Sequence, residues 1–215
     1  MTNRLADYPT KADSYSVVER RFVAPVREFL LWLYGPVVRL LAAMDVSPHV
    51  ISLAGPVLGL CFIHTVRHHP RLSFFIWLSS MMTDSVDGAL ARYTGRASDF
   101  GALLDQFADH TRETLIVVGL TASGALSPLW GSLYPFVYTA LNVVLFLGNY
   151  YGAPAPVAIK SWMVLYPAIL LYLLWGHNYL DVATALSIAF MTATILHGIL
   201  LLSRRMDGGI LRSVR

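Results

Sequence analysis

Cysteine is almost absent from this 215-residue chain. The single cysteine, Cys61, lies in an apolar run. An intrachain disulfide and a cysteine-rich structural zinc site are therefore excluded, and Cys61 reads as a small buried hydrophobe. Charge is scarce as well. Only 13% of residues are charged and 56% are hydrophobic, where a soluble domain carries about 25% charged residues. That balance points away from a soluble domain and away from a nucleic acid polymer as partner, and towards an all-α integral membrane protein. Acids are the rarest charges, 13 in all, yet Asp84, Asp87, Asp99, Asp105, Asp109 and Glu113 crowd into 30 positions. The first 15 residues are polar with no apolar core, so no cleavable leader is expected.

What the chain has in quantity is long apolar sequence. A membrane span needs about 20 predominantly apolar residues. Six stretches meet that description: 49–66, 72–93, 100–122, 128–151, 161–179 and 180–203. Short connections and the absence of an internal repeat make one six-helix bundle over 49–203, with a juxtamembrane segment at 1–48 and a basic tail at 204–215. Lysine and arginine placement sets the orientation. With six spans, both termini and the second and fourth connections share one side, which holds 13 of the 16 basic residues and is expected to be cytoplasmic. In a prokaryote the membrane would be the plasma membrane. Over 17–33, Val18, Phe22, Val26, Phe29, Leu30 and Leu33 recur at helical spacing while Glu19, Arg20, Arg27 and Glu28 take other faces. The pattern fits an amphipathic helix lying in the membrane interface or covering the flank of the bundle.

Across the second and third spans runs Asp84-x2-Asp87-Gly88-x2-Ala91-Arg92-x8-Gly101-x3-Asp105-x3-Asp109. At average residue usage, eight fixed positions recur by chance at about 10⁻¹⁰ per starting point. Asp84, Asp87, Gly88 and Ala91 share one helical face, and Gly101, Asp105 and Asp109 share another. A tight antiparallel hairpin closed through Gly95 would pair Asp87 with Asp105 and Asp84 with Asp109, roughly 10–15 Å below the cytoplasmic surface. Four carboxylates so placed repel unless protons or cations intervene. An all-oxygen donor set without His or Cys suits Mg²⁺, Mn²⁺ or Ca²⁺, and one or two such ions would suit a pyrophosphate substrate. Gly88 and Gly101 leave backbone open to close approach, and Arg92 at the mouth offers a planar guanidinium to phosphate or a nucleotide edge.

The motif resembles, position for position, the signature of the CDP-alcohol phosphotransferase family of membrane enzymes. The resemblance implies transfer of a phospho-alcohol unit from a CDP-alcohol to an acceptor hydroxyl with release of CMP. It implies Mg²⁺ or Mn²⁺ held by Asp84, Asp87 and Asp105, with Asp109 as the base that deprotonates the acceptor and a further metal ligand. Asp84, Gly88, Ala91, Arg92 and Gly101 would surround the CDP moiety, in a six-helix fold that is usually a homodimer. Upstream, Ser47-Pro48-His49 resembles the family's frequent Pro-Asn start to the first span, with His49 in place of Asn.

Outside the motif, Arg112, Lys160 and Arg204 are candidates for binding the acceptor. A charge pair of Arg112 with Asp109 or Glu113 and positive-inside anchoring by Arg204 are the structural alternatives. His110 is expected to face a neighbouring helix rather than a ligand. Gly55-x3-Gly59 and Gly148-x3-Gly152 are possible helix contacts. The leading expectation is phospholipid synthesis from CDP-diacylglycerol or an ether-lipid analogue and a small polar acceptor such as glycerol phosphate, inositol phosphate or serine. One alternative takes CDP-choline or CDP-ethanolamine with diacylglycerol, and another, of a different class, is a transporter using the four Asp as an intramembrane cation site.

Overall fold

The computed structural model describes residues 16–18 and 33–206. Within them the chain forms seven helices: α1 (Leu33–Ala43), α2 (Pro48–Thr65), α3 (Pro70–Tyr93), α4 (Asp99–Ala122), α5 (Pro128–Tyr150), α6 (Ser161–Trp175) and α7 (Leu180–Met206). The starts are marked in the sequence. Pro48, Pro70 and Pro128 open α2, α3 and α5, where a missing N–H costs nothing. Ser98 caps α4, its hydroxyl accepting from Gly101 N at 3.0 Å, and Gly176 ends α6 in the left-handed conformation at φ 76°. The fifth apolar stretch thus stops at Trp175 rather than running on to 179. Asn178 fills the break, donating to the Ala125 carbonyl at 2.7 Å and accepting from Leu180 N at 3.1 Å.

Among the described residues three helices, α2, α5 and α7, are long and apolar enough to cross a membrane. Carboxylates and arginines lower the hydropathy of α3 and α4, and α6 has 15 residues, about 22 Å of helix. The outward faces are apolar, with Val50, Leu53 and Val57 on α2, Leu103 and Phe107 on α4 and Leu196 and Leu200 on α7 all exposed. Lipid makes such a surface ordinary. Cys61 belongs to it, exposed on α2 rather than buried.

Packing runs in a ring: α2 against α3 and α4, α4 against α5, α5 and α6 against α7, and α6 against α3. The α3–α4 pair departs from the expected tight hairpin, for the two helices barely touch and α2 is wedged against both. The reason is steric and electrostatic. A Cβ added at Gly55 would meet Thr83 Oγ1 of α3 at 3.0 Å, and one at Gly59 would meet Leu115 Cβ of α4 at 3.0 Å. Glycines thus let α2 in, and the facing carboxylates hold α3 and α4 apart. Gly148-x3-Gly152, by contrast, makes no helix contact of this kind. Gly152 turns the chain at φ 68°, and Gly148 leaves room for the Ala153 carbonyl, 2.9 Å from where a Cβ would stand.

The core of the ring holds Phe62, Ile116, Leu120, Tyr134, Leu141, Leu165, Ile169 and Leu173, all nearly inaccessible. A smaller cluster of Tyr34, Val38, Val86, Ala89 and Leu90 seats α1 against α3. Val17 and Val18 donate from their backbone N–H groups to the carbonyls of Ala155 and Pro156 at 3.1 Å, so this piece of the N-terminal region lies along the α5–α6 connection. The interfacial helix expected over 17–33 otherwise falls outside the described residues, as does the basic tail beyond Met206.

Candidate metal and nucleotide site

α3 and α4 present their carboxylates into the gap between them. One oxygen each of Asp84, Asp105 and Asp109 lies within 4.8 Å of the others. Asp84 is exposed, and Asp105 and Asp109 are half-buried. Across the gap, Asp87 of α3 neighbours Asp105 of α4, and Asp84 neighbours Asp109. Asp87 stands beside the trio rather than among it. It is buried, its Oδ2 accepts from Ser52 Oγ of α2 at 2.5 Å, and its Oδ1 accepts from Gly88 N.

The donor set fits a hard divalent cation. Three carboxylate oxygens that all lie within 4.8 Å of one another could serve together as ligands of one such ion, whose preferred donors are oxygens. Beside the four acids in this gap lies Arg112. That side chain is buried, with Nη2 3.3 Å from Asp109 Oδ1 and Nη1 donating to the Ser80 carbonyl of α3 at 2.9 Å. Its stem lies against Gly55, whose added Cβ would stand 3.7 Å from Arg112 Cδ. Arg112 therefore ties α4 to α3 under the carboxylates.

The two motif glycines make room for side chains of this chain. At Gly88, a Cβ would meet the Arg92 guanidinium, with Nη1 at 3.2 Å; at Gly101 it would meet Ser98 Oγ at 3.2 Å and His49 Cε1 at 3.3 Å. Arg92 and His49 thus stand on the Cβ side of the two glycines, which are both half-buried. The His49 ring is held edge-on to Phe100 with centroids 5.6 Å apart. Ala91 is half-buried on the same face of α3.

Of the acceptor candidates, Arg112 joins the carboxylates, Lys160 is buried at the N-cap of α6, and Arg204 is exposed near the end of α7. His110 faces α5, its ring 5.1 Å from that of Tyr138 and its Nδ1 2.7 Å from the Gln106 carbonyl. Two features escape a reading of the sequence. Ser52 as the partner of Asp87 is one, although Ser52, Gly55 and Gly59 share a helical face of small residues. The other is Glu113, buried with Oε1 accepting from Tyr134 OH at 2.6 Å and Oε2 from Tyr166 OH at 2.9 Å.

A ring of apolar-faced helices with a carboxylate cluster between two of them defines an integral membrane protein whose acids could hold a metal ion. The chain belongs to the CDP-alcohol phosphatidyltransferase family, whose model matches residues 45–202. It is 32% identical over 85 residues to archaetidylinositol phosphate synthase of Aeropyrum pernix, covering 39% of this chain and 44% of that protein. It is 36% identical over 78 residues to a probable phosphatidylglycerophosphate synthase of Mycobacterium tuberculosis, covering 35% of this chain and 37% of that one. The chain thus spans less than half the length of either relative. The fold matches that of M. tuberculosis phosphatidylinositol phosphate synthase with CDP-DAG bound, at TM-score 0.67 and 16% identity over 80% of this chain and 94% of that one. The same enzyme in complex with manganese and citrate matches at TM-score 0.66 and 14% identity, over 80% and 90% of the two chains.

Proposed function

We propose that this chain transfers a phosphatidyl-type group from a CDP-alcohol, CDP-diacylglycerol or an ether-lipid analogue, to the hydroxyl of a small polar acceptor, releasing CMP. The observation that carries the reading is the set of three carboxylate oxygens within 4.8 Å at a gap flanked by Arg92. In the reaction, the acceptor oxygen bonds to the phosphorus bearing the lipid alcohol. The bond from that phosphorus to the oxygen of CMP breaks, and CMP leaves with the electron pair. Asp109 takes the acceptor proton. Asp84, Asp105 and Asp109 would hold Mg²⁺ or Mn²⁺, as one or two ions with Asp87 completing the set. The cation, when bound, neutralises the pyrophosphate as its bond breaks. Asp84, Gly88, Ala91, Arg92 and Gly101 line the CDP side, and Arg112, Lys160 and Arg204 serve the acceptor.

The relatives support this assignment. One is named for an inositol phosphate product, another for a glycerophosphate product, and the structural match carries CDP-DAG. Glycerol phosphate and inositol phosphate are accordingly the leading acceptors, with serine next. The bundle over 49–203 crosses the membrane six times as the enzymatic domain, with 1–48 and 204–215 on the cytoplasmic side. The N-terminal helix lies in the interface, and the working form is a homodimer.

The test is CMP release by purified protein with Mn²⁺ or Mg²⁺ and CDP-diacylglycerol across a panel of glycerol 3-phosphate, inositol 1-phosphate, inositol and serine. CDP-choline with diacylglycerol runs in parallel. Metal-dependent release that follows one acceptor and falls by about 10²–10⁴-fold in Asp109→Asn, the range of general-base catalysis, supports the reading. Tight Mn²⁺ binding without CMP release from any pair overturns it.

A further inference from the structure

The α5–α6 connection does not stay at the surface of the bundle. His110 of α4 meets Tyr138 of α5, ring centroids 5.1 Å apart, and the two helices run in opposite directions. Twelve residues beyond Tyr138, α5 therefore ends level with the start of α4. On the other side Tyr166 of α6 meets Trp77 of α3 at 5.5 Å. Six residues back from Tyr166, the N-cap Lys160 lies level with Thr83, beside Asp84. The start of α4 stands ten residues from Asp109, roughly 15 Å of helix, so residues 151–160 descend from the mouth to the depth of the carboxylates. They are not helical, and Ala155, Ala158 and Lys160 are buried. Buried irregular backbone needs donors for its carbonyls from elsewhere, and here they come from the N-terminal region. Residues 17–18 are helical, and a first turn leaves its N–H groups without partners in its own helix. Those of Val17 and Val18 donate to the Ala155 and Pro156 carbonyls at 3.1 Å. Ser16 beside them is 1% exposed, whereas the valine side chains are exposed. The contact is made by backbone, not by side chains.

Building on the phosphotransferase reading, with Lys160 on its acceptor side, we propose that residues 16–18 are a positioning segment for the acceptor. Their two backbone bonds clamp the α5–α6 connection at Ala155 and Pro156, a few residues before Lys160, and so hold Lys160 at the depth of Asp84. Without the clamp the connection loses its partners, and Lys160 its fixed place beside the carboxylates. Arg92 and His49, on α3 and α2, take no part in these bonds, so the donor side is left as it was. The N-terminal region then takes part in binding the acceptor and not the donor.

The experiment compares Val17→Pro and Val17→Ala with the full-length wild type in detergent. Proline suits the first position of a helix but has no N–H, so Val17→Pro deletes the bond to Ala155 and keeps the helix start. Alanine keeps the N–H. Each protein is read by the KM for whichever acceptor of the panel is turned over, by the KM for CDP-diacylglycerol, and by Mn²⁺ affinity from the EPR signal of the free ion. The expected result is an acceptor KM raised about tenfold in Val17→Pro, the effect of one buried carbonyl left unpaired. Donor KM and Mn²⁺ affinity should stay at wild-type values, and Val17→Ala should match wild type throughout. An unchanged acceptor KM in Val17→Pro overturns the proposal, and so does a Val17→Ala equally impaired. A loss spread evenly over acceptor KM, donor KM and Mn²⁺ affinity also overturns it, since that marks a merely structural contact. Should Val17→Pro fail to fold, hydrogen exchange on the wild type decides. Exchange of the Val17 and Val18 amides slowed by the acceptor but not by CDP-diacylglycerol supports the clamp, and exchange indifferent to the acceptor overturns it. A wild type that releases no CMP with any acceptor counts against the phosphotransferase reading instead, and the same exchange measurement with inositol 1-phosphate and glycerol 3-phosphate still judges the clamp.

Discussion

Ser52 of α2 donates a hydrogen bond to Asp87 of α3, 35 residues further along the chain. The bond ties one carboxylate of the motif to α2, beside the other three. Asp87 also accepts from the N–H of Gly88, so neither of its oxygens is idle. An anionic acceptor in a site shielded from water depends on such donors, and a hydrogen bond to a charged group contributes about 1.5–3 kcal/mol.

Replacing Ser52 with alanine should therefore cost activity although Ser52 touches no substrate. Groups that orient ligating side chains typically change metal affinity or activity 10–100-fold when removed. For Ser52→Ala, the expected outcome is CMP release reduced by about that factor and Mn²⁺ titration shifted in parallel. Ser52→Thr, which keeps the hydroxyl, should stay near wild type. A wild-type Mn²⁺ titration in Ser52→Ala would remove Ser52 from the site.

Gly101 and His49 offer a steric test of a different kind. A methyl at 101 would stand 3.3 Å from His49 Cε1 and 3.2 Å from Ser98 Oγ, so Gly101→Ala must displace the imidazole or loosen the helix cap. Gly101→Ala should raise the donor KM, and the double variant His49→Ala/Gly101→Ala should recover part of the loss. A double variant no better than the sum of the singles would mean that the ring is not what Gly101 accommodates.

Helix contact rather than chemistry governs Gly119. A Cβ there would stand 2.9 Å from Phe62 Cδ1 and 3.2 Å from Ile63 Cα, and Phe62 is fully buried. Overpacking of this sort costs about 1–3 kcal/mol. Gly119→Ala should thus lower the thermal midpoint in detergent by several degrees. Gly35→Ala, with nothing within 4 Å of the new methyl, should not lower it. Size-exclusion recovery after graded heating reads both.

The carboxylate face was legible because its information is local. Spacing of three and four residues fixes which side chains share a helix face, and a five-residue turn between α3 and α4 fixes which levels meet. The insertion of α2 between those helices was not, because Gly55 and Gly59 announce a close approach without naming the neighbour. Ser52 looked like any serine in an apolar helix, and its meaning depends on a partner 35 residues away. Glu113 was visible as an acid in the wrong place, but the two tyrosines that receive it come from α5 and α6. Gly148 and Gly152 carried the same spacing as Gly55 and Gly59 and turned out to serve a chain reversal, so the pattern alone does not separate packing from turning.

The polar column ends at Glu113. Along α4 below it come Ile116, Val117 and Leu120, joined by Phe62, Leu126 and Leu173, all at 2% exposure or less. Packed hydrocarbon of this kind admits neither water nor ions. The four aspartates, Arg112 and Glu113 therefore all lie on one side of a packed apolar layer. That layer closes the bundle beyond Glu113, so a polar group that reaches the carboxylates has to come from their own side of it.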